Sequence, residues 1–241
     1  MSTSTKLALI GYGKMGKLID QLAPEYGFEV TARINRESLD QPIEADVAIE
    51  FSTPEAVPGN LQRLAQLKIP AVCGTTGWFG QIADVARLVE ENETGLVWSP
   101  NFSVGVAVFR RVVALAAELL EEHAEYGAWA WEIHHDAKKD SPSGTLLQLL
   151  ETMRRNGFER EIDVSASRAG KHPGTHEVGF DSAADTITLR HAARSREGFA
   201  RGALKSAQWI LNRKGVYTFD DVLFSDSLKS PRLLPLEYRP L

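Results

Sequence analysis

Leu7-Ala8-Leu9-Ile10 runs directly into Gly11-Tyr12-Gly13-Lys14-Met15-Gly16, after which Leu18, Ile19 and Leu22 recur at helical spacing. No other stretch constrains the fold as tightly. Apolar strand, glycine turn and amphipathic helix, in that order, open a βαβ unit, and the G-x-G-x-x-G spacing gives each glycine a task. The first permits a tight turn, the second lets backbone approach a pyrophosphate, and the third lets helix and strand pack closely. A bare glycine string carries little, since the same turn can close with nothing bound. The strand before it and the helix after it are what point to a dinucleotide. Gly11, Tyr12, Gly13, Lys14, Met15 and Gly16 are therefore candidate cofactor contacts.

The alternation of strand and helix continues. Phe28, Val30, Ala32 and Ile34 alternate with polar residues as a second strand. An NAD-specific chain places an acid at this strand's end for the ribose hydroxyls. Here Arg33, Asn35 and Arg36 stand there, with Glu37 one residue late. Arg33 and Arg36 suit a 2′-phosphate, so NADPH is the expected cofactor, with NADH still usable; the alternative is that both arginines are solvated surface. Residues 46–51, 71–73 and 95–99 make further strands, and Leu61, Leu64, Ala65 and Lys68, then Ile82, Val85, Ala86 and Val89, mark the helices between. The class is α/β, a doubly wound parallel sheet with its ligand at the strands' carboxyl ends. The polar turns there add Phe51, Ser52, Gly74, Thr75, Thr76, Ser99, Pro100, Asn101 and Phe102 to the cofactor candidates. Cys73, at the end of the fourth strand, is expected to be a buried thiol without chemistry.

After residue 103 the pattern changes. Ser103 can cap a long helix through Glu121. Residues 126–133, 162–167, 175–180 and 186–192 then read as strands, with one helix over 143–156 between them. Strands in succession with few helices predict a second domain with an antiparallel or mixed sheet. Trp129, Trp131 and Ile133 share one strand face, as core or subunit contact. A last helix over 199–214 ends at Gly215, 216–224 follows, and a proline-bearing tail over 225–241 is expected to be loosely held.

Chemistry concentrates in Glu132-Ile133-His134-His135-Asp136-Ala137-Lys138-Lys139-Asp140-Ser141-Pro142-Ser143-Gly144-Thr145. Two imidazoles and two ammoniums precede a Ser-Gly-Thr helix start, whose open N–H groups hold carboxylate or phosphate. Lys138 and a histidine within a turn of that anion seat make a site for an acidic substrate that also needs a proton. His134 and His135 are adjacent, so on a strand they point to opposite faces. A metal held by His134, His135, Asp136 and Asp140 would lack helical ligand spacing and cysteines, and no metal is expected.

Net charge of −5 argues against nucleic acid or acidic membrane as partner. The longest apolar region, 104–120, is interrupted by Arg110 and Arg111, so no bilayer span is expected. One cysteine in 241 residues excludes an internal disulfide. The first residues lack the apolar core of a signal peptide, so a cytoplasmic location is expected.

The motifs together resemble the dihydrodipicolinate reductase family. Glu132-Ile133-His134-His135, Lys138 and Asp140-Ser141-Pro142-Ser143-Gly144-Thr145 are similar to its E-x-H-H-x-x-K-x-D-x-P-S-G-T signature, a long and specific string. Phe51-Ser52, Gly74-Thr75-Thr76-Gly77, Asn101-Phe102-Ser103-Val104-Gly105 and Ser195-Arg196 support it. The resemblance implies a Rossmann-like cofactor domain over 1–102 and 215–241, and a smaller α+β domain for substrate and oligomerisation over 103–214. It implies a homotetramer and a dicarboxylate substrate, with NAD(P)H reducing 4-hydroxy-tetrahydrodipicolinate to tetrahydrodipicolinate as water is lost. Carried over residue by residue, His134 and Lys138 are the catalytic pair, and His135, Ser143, Gly144 and Thr145 are substrate contacts. Arg196 beside Lys138 would give a second carboxylate its seat by a bidentate grip. Arg190 and Arg194, in the same basic patch, read as solvated surface. Thr53 and Ala137 depart from the family, where basic residues are frequent, and Asn35 stands in place of the acid that serves NAD. Two other functions fit parts of the sequence. A dehydrogenase of another small acid would need the glycine turn but not His134 with Lys138; a cofactor-sensing protein would bind NADPH without turnover.

Overall fold

The computed structural model describes residues 4–38 and 41–225; the tail expected to be loosely held therefore lies, beyond Ser225, outside the described residues. The chain divides into two compact units, one of them built from the described residues up to Ser103 and from Glu197 on, the other from Val104–Arg196.

In the first unit, β1 (Thr5–Ile10), β2 (Phe28–Ile34), β3 (Val47–Glu50), β4 (Ala71–Cys73) and β5 (Gly95–Trp98) alternate with α1 (Lys14–Leu22), α2 (Val57–Gln66) and α3 (Ile82–Glu91). The strands form one parallel sheet in the order β10-β5-β4-β3-β1-β2, with β10 (Gly215–Thr218) joining from the far end of the chain. All four residues of β3 and Leu7 to Ile10 of β1 are buried, as they must be in a parallel sheet covered on both faces. α2 packs with α3, while α1 packs with α6 (Glu197–Ile210). A short α7 (Phe219–Phe224) follows β10, its Thr218 cap and Asp221 completing a capping box.

The exchange between units comes earlier than expected. The domain boundary anticipated at 214 falls instead at Glu197, because Ala200, Ala203, Leu204, Ala207 and Ile210 make α6 a helix apolar on one side. That side is buried against β3, β4, β5 and α1.

The second unit holds α4 (Val104–Leu120), β6 (Gly127–His134), α5 (Gly144–Arg155), β7 (Ile162–Arg168), β8 (Thr175–Asp181) and β9 (Thr186–Ala192). Its sheet runs β7-β6-β8-β9; β6 pairs parallel with β7 and antiparallel with β8, and β9 is antiparallel to β8. This is the mixed sheet expected. α4 and α5 pack together over a core that includes Phe109, Val113, Ala130, Leu149 and Phe180. The core side of β6 is the Ala130-Glu132-His134 side, so Trp129, Trp131 and Ile133 face away from it and stay half-buried. Among the described residues, no helix is long and apolar enough to cross a membrane.

Candidate active site

An apolar core side that carries a glutamate and a histidine requires partners, and the sheet register supplies them. His176 stands opposite Glu132 on β8, Arg168 opposite His134 on β7, and His191 opposite His176 on β9. Cross-strand partners share a face, so one row of ionisable groups crosses all four strands. At its centre the Glu132 carboxylate is fully buried. Its Oε1 accepts the Ser143 N–H at 2.8 Å and Arg168 Nη2 at 2.7 Å. Its Oε2 accepts the Ser143 hydroxyl and lies 3.3 Å from His176 Nε2. Burial alone would push this carboxyl up, but the hydrogen bonds from His176, Ser143 and Arg168 outweigh it and hold the group well below the carboxylate range.

His134 takes its character from the same neighbours. Its Nδ1 is 3.6 Å from Glu132 Oε2, too long for a hydrogen bond, and among the described residues it has no other partner. Burial drives its pKa from 6.5 down to about 4; Glu132 pulls upward, while His176, Lys138 and Arg168 push further down. The imidazole is therefore neutral at neutral pH. Gly174 closes over it at φ +138°, where a Cβ would come within 2.9 Å of His134 Nε2; only glycine adopts that backbone and leaves room for the ring.

From His134 the chain turns through Lys138, whose ammonium grips Asp140 at 2.8 and 3.0 Å. Partial burial raises the Asp140 pKa, but Lys138 and nearby backbone N–H groups, Gly144 among them, bring it below the usual value. Arg168 Nη2 also donates to the Asp140 carbonyl at 2.6 Å. α5 then begins at Ser143, whose hydroxyl accepts the Leu146 N–H at 3.2 Å. With no acid in its first turn, α5 presents Gly144 and Thr145 at its positive end, where the Asp140 carboxylate lies against the Gly144 N–H. One segment thus carries a neutral imidazole, an ammonium and an anion seat, a set suited to an acidic substrate that takes up a proton.

The first unit has the geometry for a dinucleotide. Gly11 lies at φ +91°, and a Cβ there would sit 2.1 Å from the Phe51 carbonyl oxygen. A Cβ on Gly16 would sit 2.4 Å from the Gly11 carbonyl oxygen, whereas Gly13 faces open space. Gly13 begins α1 without a side-chain cap, so the first N–H groups remain open to a pyrophosphate.

Comparison with known proteins agrees. A family model described as dihydrodipicolinate reductase, N-terminus, matches residues 5–102, and its C-terminus counterpart matches residues 105–223. The chain belongs to the dihydrodipicolinate reductase family. The 4-hydroxy-tetrahydrodipicolinate reductase of Christiangramia forsetii is 34% identical over 238 residues, 93% of this chain and 99% of that one. The enzyme of the same name from Archaeoglobus fulgidus is 40% identical over 202 residues, 75% of this chain and 77% of its own. Among solved structures, the dipicolinate-bound dihydrodipicolinate reductase of Paenisporosarcina sp. TG-14 shares the fold. Its TM-score is 0.74 at 22% identity, over 90% of this chain and 98% of that one. An amine dehydrogenase from Mycobacterium smegmatis shares the fold more distantly, with TM-score 0.61 at 10% identity over 99% and 98% of the two chains. The first unit is accordingly the NAD(P)H-binding part of a reductase.

Several expected contacts take other roles. Ser143, expected to touch substrate, is buried with its hydroxyl and N–H turned onto Glu132, so it caps the helix and ties it to β6. Arg33, expected at a 2′-phosphate, is closed onto Asp20 through Nε at 2.7 Å and Nη2 at 2.8 Å. The Asp20 carboxyl is held below its usual range chiefly by that guanidinium, and Tyr12 donates its hydroxyl to the same acid. Arg36 is exposed. Phe102 is buried between Phe51 and Phe219 and serves packing. Thr75 donates to the fully buried Glu50, which also accepts from Ser52, Asn60 and Cys73. Cys73 is buried as expected, and burial pushes its thiol pKa up. His135 is half-buried and Arg196 exposed.

Among the described residues, the cluster of three or more acidic and imidazole side chains whose atoms lie within 4.8 Å of one another is Glu132, His134 and His176, a different set from the four residues weighed as metal ligands in the sequence. Ser143, Arg168 and His176 already occupy both carboxylate oxygens, and the Arg168 guanidinium opposes a second cation there. Arg168, His176 and Gly174 are site residues that sequence reasoning missed, and Glu132, quoted there within the signature, was given no role. The Glu132-x-His134 period on a strand was a readable signal; Arg168 and His176 come from distant strands and give no local one.

Proposed function

We propose that His134 and Lys138 are the catalytic pair of this reductase, acting on 4-hydroxy-tetrahydrodipicolinate to give tetrahydrodipicolinate and water. The observation that carries this is the convergence of a neutral imidazole, the Lys138–Asp140 pair and the α5 start on one buried carboxylate. NAD(P)H, when bound, supplies the hydride. The residues of the second unit hold the diacid and handle the proton. Gly144 and Thr145 seat one carboxylate at the helix start; Lys138, His135 and Arg196 serve the remainder of the substrate. As electron density builds on the ring, the Lys138 ammonium stabilises it and donates a proton. His134, neutral at working pH, relays a proton to renew the donor.

In the first unit, Gly11, Tyr12, Gly13, Lys14, Met15 and Gly16 hold the pyrophosphate, with Phe51, Ser52, Gly74, Thr75, Thr76, Ser99, Pro100 and Asn101 framing the cofactor, several of them through backbone. Arg36, exposed after β2, favours NADPH over NADH, while Arg33 is held by Asp20. The half-buried Trp129, Trp131 and Ile133 give the second unit's sheet an apolar patch on its outer face that supports a homotetramer. A cytoplasmic location, with neither nucleic acid nor membrane as partner, goes with this function.

The decisive experiment follows NADPH absorbance after addition of the dihydrodipicolinate synthase product. Rapid oxidation is expected. Lys138→Ala and His134→Ala each lose about 10²- to 10⁴-fold in turnover, while their affinity for NADPH stays within about twofold of the parent's. Oxidation only with other small acids would point to a different dehydrogenase, and tight cofactor binding without turnover to a sensor.

A further inference from the structure

His134, Lys138 and the start of α5 reach the site from a strand, a loop and a helix, and one side chain links them. Glu132 accepts from Ser143 at the head of α5, from Arg168 on β7 and from His176 on β8, and stands two residues before His134 on the same strand face. Arg168 extends the linkage, because its Nη2 donates both to Glu132 at 2.7 Å and to the Asp140 carbonyl at 2.6 Å. Asp140 in turn holds Lys138. A buried ion pair stabilises a fold little more than apolar residues of the same volume would. What this one supplies is direction, since each donor comes from a different element and each has a single geometry at the carboxylate.

We propose that Glu132 is a positioning residue of this reductase, fixing the Lys138–Asp140 loop through Arg168, the start of α5 through Ser143, and the imidazole of His134 through its charge. This rests on the assignment of His134 and Lys138 made above. Four charged or titratable groups act on the His134 ring: Glu132 on its own strand, Arg168 on β7, His176 on β8 and Lys138 from the loop. Of these only Glu132 favours the imidazolium. Any proton relayed through His134 therefore meets one stabilising charge, and removing that charge shifts the His134 titration to lower pH.

Glu132→Gln keeps the shape of the side chain and removes its charge. Its turnover is expected to fall at least about tenfold while its affinity for NADPH stays within about twofold. The limb of the pH–rate profile that follows His134 moves to lower pH, which a merely structural role would not cause. Arg168→Lys keeps a cation but is one bond shorter and lacks the planar guanidinium that brings a single nitrogen to both Glu132 and the Asp140 carbonyl, and a similar fall in turnover is expected; it decides the matter should Glu132→Gln not fold. His134→Ala is run beside them. If His134→Ala is slow but a folded Glu132→Gln, or Arg168→Lys in its stead, turns over within twofold of the parent, the positioning role is overturned and the catalytic assignment stands. If His134→Ala is fast, the catalytic assignment itself is lost, and this proposal with it. If Zn²⁺ raises the melting temperature of the parent and not of Glu132→Gln, the cluster is a metal centre and the proposal is overturned.

Discussion

At the scale of single residues, the site depends on groups held away from their ordinary states. His134 is buried beside Glu132, and its pKa falls from 6.5 to about 4. Above pH 6.5 the folded and unfolded chains carry the same neutral imidazole. Between 6.5 and 4 the unfolded chain takes up a proton that the folded one refuses, so stability is lost as pH falls through this window. The loss amounts to about 3 kcal/mol for a shift of this size. His134→Gln is therefore expected to lose less stability than the parent between pH 7 and pH 4, read from denaturant midpoints at each pH. Parallel curves would mean that the imidazole titrates normally. The histidine and the lysine were legible in the sequence from their place before Ser-Gly-Thr. The inward turn of Ser143 was not, because its partner Glu132 is recruited by a strand that only the sheet register brings into place.

At the scale of elements, periodicity located most strands and helices, and tertiary packing decided their allegiance. The final helix was legible from Ala200, Ala203, Leu204, Ala207 and Ile210, but which unit it covered was not. An apolar face declares that it will be buried and says nothing of what buries it. The packing of α6 is close: a Cβ on Gly202 would come 1.8 Å from the Phe102 carbonyl oxygen and 3.0 Å from the Phe219 ring. Gly202→Ala should cost about 1–3 kcal/mol by overpacking, measured as a lower midpoint in thermal or denaturant unfolding. An unchanged midpoint would show that helix and loop separate freely.

At the scale of the whole molecule, two predictions concern what the protein binds. Steady-state kinetics with both cofactors should favour NADPH, and Arg36→Ala should narrow the preference; an NADH preference in the parent would refute the arginine argument. The engagement of Arg33 by Asp20 leaves Arg36 as the principal source of that preference. Light scattering of the purified protein should give the mass of a tetramer, and Trp131→Glu, on the outer face of the second sheet, should lower it. A monomeric parent would assign that face another use.

The sequence by itself determined the two kinds of sheet, the glycine turn and the run from His134 to Thr145, because each is written in residues close together along the chain. Tertiary structure alone decided the partners of Glu132, the closure of Arg33 onto Asp20 and the unit to which α6 belongs. Those outcomes depend on strand register and on close packing between residues far apart in sequence, and local patterns of hydrophobicity and charge do not encode which distant groups meet.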